Sequence, residues 1–246
     1  MCREIKLKEE TLVSMLRSYW LEKWISALLF VVVAVLLYLS FGHSFYFDKL
    51  FLLVLVGALS IVRENRDLFF TLLVLLVLRI LGEVLFLLSD LAHVKWGYYA
   101  VAIVTIVKLR NDWLVSTVLL PILFLSLCAE LYWLLIGYQA PDLHFYFLAL
   151  ATNCWLRHFL VFKSHLKFFS SLEMNNESLD YSLFKLVVPS NIVISALILE
   201  YLVRHLTNFN PIIIYDAYSY IMQSISAVFF YLIIDHTLKT KFKLSA

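Results

Sequence analysis

Long apolar runs alternate with short polar breaks along this chain, and the spacing of the breaks predicts eight helices. The runs are Trp24–Phe41, Phe45–Val62, Leu68–Leu88, Trp96–Val107, Trp113–Ile136, Leu143–Phe162, Leu186–Leu206 and Ile212–Ile234. Most are long enough to cross the ~30 Å hydrocarbon layer of a bilayer as a helix. Trp96–Val107 is short and must be extended by its flanks, tilt, or insert partway. The pattern therefore predicts an all-α, polytopic transmembrane bundle of about eight spans. Ahead of it, Leu12, Leu16, Tyr19 and Trp20 share one helical face, with Glu9, Arg17 and Glu22 turned away. Residues 1–23 thus read as an amphipathic segment lying in the membrane interface. They are polar and charged, and are not expected to be a cleaved signal.

The placement of Lys and Arg orients the bundle. With the N-terminus in the cytoplasm, the cytoplasmic segments carry Arg3, Lys6, Lys8, Arg17 and Lys23; Arg63 and Arg66; Lys108 and Arg110; Lys163, Lys167 and Lys185; Lys239, Lys241 and Lys243. The outer segments carry only Lys49, Lys95 and Arg204. Removing span 2 or span 4 would put basic loops on the wrong side, against the positive-inside tendency. Both termini are therefore expected in the cytoplasm, with residues 235–246 as a basic tail and residues 163–185 as the longest internal loop. The bacterial inner membrane is the expected location.

Composition agrees: 63% of residues are hydrophobic and 15% charged, against about a quarter charged in ordinary soluble domains. A net charge of +2 gives no reason to expect nucleic acid as a partner. The three cysteines, Cys2, Cys128 and Cys154, lack metal-type or redox-type spacing and read as small apolar residues. No metal site and no cofactor is expected. Asn176-Glu177-Ser178 matches a glycosylation acceptor but falls on the predicted cytoplasmic side, so it reads as chance.

The candidate chemistry lies in the charges inside the spans, which are costly there and turn to a partner or to water. Arg79 sits near the middle of span 3, with Glu83 one turn further out. Glu130 in span 5, Glu200 and Arg204 in span 7, and Asp216 in span 8 share the outer half of the bilayer under this topology. Asp216, Ser219, Gln223 and Ser226 form a polar stripe on span 8, and Ser126 and Glu130 repeat that pattern in span 5. Arg79, Glu83, Glu130, Glu200, Arg204, Asp216 and Gln223 are accordingly expected to line an outward-facing cavity for an ion, proton or small polar solute. A second polar site is expected at Asn153, Arg157 and His158 in the inner half of span 6, where Arg157 could snorkel to lipid headgroups and Cys154 lies one turn from His158.

Three functional classes fit. The first is a conducting or sensing protein built on that cavity. The second is a non-catalytic subunit that anchors, assembles or signals, with a homo-oligomer or protein partner at its cytoplasmic face; its buried charges would then only hold helices together, at an average near ~0.6 kcal/mol per bond. The third is an intramembrane enzyme acting on a lipid-linked substrate, which has the least support because nucleophile, zinc and phosphate-binding motifs are missing.

Overall fold

The computed structural model describes residues 43–88, 92–138, 144–163, 178–207 and 209–243, with scattered positions between 24 and 41. Seven α-helices lie in the continuous stretches: α1 (Ser44–Ile61), α2 (Arg66–Leu87), α3 (Ala92–Lys108), α4 (Leu120–Ile136), α5 (His144–Phe162), α6 (Ser178–Leu206) and α7 (Ile213–Lys243). A five-residue π-helical turn, Val115–Leu119, leads into α4. No strand occurs among the described residues. The positions described between Trp24 and Ser40 are helical, while the proposed interfacial helix before them lies outside the described residues.

Five segments are long and apolar enough to cross a membrane: α2, the π turn with α4, α5, α6, and α7 up to Thr240. The chain is thus an all-helical, multi-pass membrane protein. α1 and α3, with 18 and 17 residues, stand outside those five. α3 begins four residues earlier than its apolar run, at Ala92, because the flank was recruited into the helix. At 29 residues α6 is ~43 Å long, and at 31 residues α7 is ~46 Å long. Both exceed the hydrocarbon thickness. Their extra length lies at the Ser178 end of α6 and the Lys243 end of α7, so the helices continue into the segments read from sequence as a loop and a tail.

Local chemistry sets the helix ends. The Asn65 side chain accepts from Leu68 N at 3.2 Å and caps α2, and Asp67 adds negative charge to the first turn. Pro121 has no N–H for the Thr117 carbonyl, and just ahead of it the backbone widens so that Leu120 N reaches Val115 O. Gly137, at φ +70°, closes α4 in the left-handed conformation, and Tyr138 N bonds Trp133 O at 2.9 Å.

Consecutive helices run antiparallel. One end of the bundle carries the turn at 63–65, the turn at 109–112, Lys163 and the start of α6. Because it also holds Arg63, Arg66, Lys108 and Arg110, we call it the basic end. α5 and α6 are central. On one side of them α1, α2 and α7 complete a ring, with α1 packed between α2 and α7; on the other side lie α3 and the π turn with α4. Each side has its own apolar core. One joins Leu72 and Leu75 of α2 to Leu156 and Leu160 of α5, Leu183 and Val187 of α6, and Ile233 of α7. The other packs Tyr99, Leu119, Trp133, Phe147, Ile198 and Leu202.

Candidate functional site

At the end opposite the basic one, α1 and α2 bring three charges together. Arg79 Nη2 lies 2.8 Å from Glu83 Oε1 on its own helix, and it also pairs with Asp48 of α1. The guanidinium stands 6.0 Å from the centre of the Phe51 ring. Arg79, Asp48 and Glu83 remain 34%, 38% and 46% exposed. From Arg79 to the end of α2 at Leu87 is ~12 Å, so the group sits well below the helix ends. Charges at such depth are not stable against lipid tails. With both carboxylates ionised, the group carries one net negative charge.

Asp48 is not among the charges that the sequence singled out. A register argument would have found it. Asp48 lies 16 residues before Glu64 in the turn, and Arg79 lies 15 after it. In an antiparallel hairpin, positions equally far from the turn meet at the same depth.

The other acids of the expected cavity go elsewhere. Glu130 of α4 pairs with Lys95 of α3 at 2.6 Å and accepts from the Tyr99 hydroxyl at 3.2 Å. Glu200 turns away from Arg204, one turn further along α6. Both its oxygens accept from the start of α7, from Ile214 N at 2.6 Å and Tyr215 N at 2.9 Å. A carboxylate at a helix N-terminus satisfies orphan N–H groups and meets the positive end of the dipole. Arg204 lies instead against the Tyr201 and Tyr215 rings, at 5.6 and 5.3 Å. Asp216 is exposed in the first turn of α7, and Gln223 is buried further down that helix. Glu130 and Glu200 thus turn to separate partners, while Arg79 and Glu83 are paired directly.

Of the second expected site, Asn153 donates to Asn191 of α6 at 2.8 Å, and Asn191 donates to Cys154 Sγ at 3.6 Å. Arg157 does not snorkel. It is buried, paired with Asp112, and held between the Phe184 and Trp113 rings at 4.2 and 5.5 Å. His158 packs on the Phe162 and Trp155 rings, so Cys154 meets an amide and His158 meets aromatic rings.

The most deeply buried charge pair was not anticipated. Lys163, just past α5, lies 2.6 Å from Asp180 in the first turn of α6, with side chains 0% and 2% exposed. Thr71 of α2 donates to Asp180 at 2.8 Å and accepts from Lys163 at 3.0 Å. Lys163 also donates to the Asp67 carbonyl at 3.4 Å. From sequence both residues fell within the loop read at 163–185. Because α6 starts at Ser178, eight residues before its apolar run, Asp180 sits inside a helix and against its neighbours.

Among the described residues no group of three His, Cys, Asp or Glu is placed to hold a metal ion. The architecture defines a multi-pass membrane helix bundle with charge groups at both ends. No protein-family model, no curated protein and no solved structure matches the chain.

Proposed function

We propose that this membrane protein receives a cation, a proton or a small polar solute in a crevice at the end opposite its basic turns. The observation that carries this reading is the partly exposed Asp48–Arg79–Glu83 group between α1 and α2. It combines charge, membrane depth and accessibility, whereas the other buried ion pairs at the two ends are more enclosed. An excess of one carboxylate over the single guanidinium favours a positively charged or protonating visitor. Glu130 and Glu200 belong to this reading as groups that tie α4 to α3 and α6 to α7. The eight-span count, with both termini in the cytoplasm and the crevice facing outward, is part of the same proposal, supported by the placement of Lys and Arg.

The test is cation or proton movement in proteoliposomes. Glu83→Gln is expected to slow it about tenfold, the effect of ~1.4 kcal/mol, while membrane insertion stays normal. Absence of any such movement through the wild-type protein would overturn the conducting form of the reading. A second reading, an assembly or signalling subunit, is favoured by the overlong α6 and α7, which offer helical surface beyond the hydrocarbon at the basic end. Recovery of a stable protein partner after mild solubilisation, lost when α7 is cut after Ile234, would support it.

A further inference from the structure

We propose that Lys163, Asp180 and Thr71 form a gate that closes the basic end of the route leading from the Asp48–Arg79–Glu83 crevice, an inference that rests on the crevice reading above. Three observations converge on it. The first is cost. An ion pair with both partners almost fully buried rarely stabilises a fold better than apolar residues of equal volume would, and its best-attested use is as a register or switch element. Here it ties together three helices at one point, through Thr71 of α2, Asp180 of α6 and Lys163 at the end of α5.

The second is alignment. Thr71, Leu75, Arg79 and Glu83 follow one another at single-turn intervals along α2. The gate hydroxyl and the crevice guanidinium are thus eight residues, or ~12 Å, apart on the same strip of helix. The space between is apolar: Leu75 and Leu72 pack with Leu156, Leu160, Leu183 and Val187 in one cluster. The crevice is partly open, the leucine plug is closed, and the ion pair beneath it is sealed. A protein that admits solute from one side at a time has this asymmetry.

The third is a place to bend. Pro189 interrupts the hydrogen-bond ladder of α6 nine residues beyond Asp180, and helices kink most readily at such positions. Swinging the Ser178 end of α6 about Pro189 would carry Asp180 away from Lys163 and Thr71.

A cysteine at Leu75 reports on the gate, in full-length protein with Cys2, Cys128 and Cys154 replaced and in sealed vesicles of known orientation. A cysteine at Arg110 marks the basic side. A membrane-impermeant thiol reagent applied from that side is expected to label Leu75→Cys slowly in the native background. Asp180→Asn should speed labelling about tenfold, or ~1.4 kcal/mol of closure. The paired change Lys163→Met with Asp180→Leu, which keeps the volume and removes both charges, should slow it by a similar factor. Equal rates in the native and doubly apolar backgrounds would overturn the gate, and this comparison decides the matter even if Asp180→Asn fails to insert. Labelling of Glu83→Cys from the opposite side reads the crevice separately: its failure there sinks the crevice while leaving the gate result to stand on Leu75→Cys.

Discussion

Asp180→Ala is expected to cost about 3–5 kcal/mol of stability, the range for stripping one partner from a buried ion pair. The reason lies in what remains. Lys163 is fully enclosed, so its ammonium would be left with the Thr71 hydroxyl and the Asp67 carbonyl, two neutral acceptors. It must then lose its proton, draw in water, or push α2, α5 and α6 apart. Lys163→Met with Asp180→Leu should restore most of the loss, because it removes both charges and keeps the volume. Melting of the detergent-solubilised protein measures both. An Asp180→Ala protein that melts with the wild type would mean that water reaches Lys163.

Arg157→Met is the second large effect, at about 2 kcal/mol, below the full range for a broken buried pair because Asp112 is 18% exposed and partly hydrated. Two interactions are lost together. Asp112 loses its cation, and the Phe184 and Trp113 rings lose the flat group between them. Asp112 also accepts from Leu114 N at 2.9 Å, which fixes the turn leading into the π segment. Hydrogen exchange should therefore rise at residues 109–115 and stay unchanged at α1. Arg157→Lys should recover part of the stability, since it keeps the charge without the planar fork. Unchanged exchange around the turn would mean that Asp112 holds it unaided.

The membrane architecture was legible in the sequence because bilayer thickness turns apolar length directly into helices. All seven helices begin or end within two residues of an apolar run. The misjudged ends were those continuing outside the apolar stretch, at Ser178 and Lys243, where hydropathy carries no signal but helix propensity and packing persist. The polar sites were half legible. Depth along a helix follows from counting residues, so Arg79 was placed near the middle of the bilayer and Glu83, Glu130 and Glu200 in one half of it. Rotation about the bundle does not follow from counting. Glu130 turned to Lys95 on α3, and Glu200 turned to the backbone of α7. Asp48 was recoverable from hairpin register. Lys163 with Asp180 was not, because the pairing depends on where α5 and α6 lie in space rather than on their order.

The proposed crevice requires water to reach the Arg79 group from the side opposite the basic turns. Glu83→Cys in a background without other cysteines, exposed to a membrane-impermeant thiol reagent on that side, tests this most directly. Rapid labelling is expected there. Ile80→Cys, one turn below on α2 and 47% exposed among apolar surroundings, should stay dark. If Glu83→Cys is as unreactive as Ile80→Cys in correctly inserted protein, no crevice exists, and Asp48, Arg79 and Glu83 only hold α1 against α2.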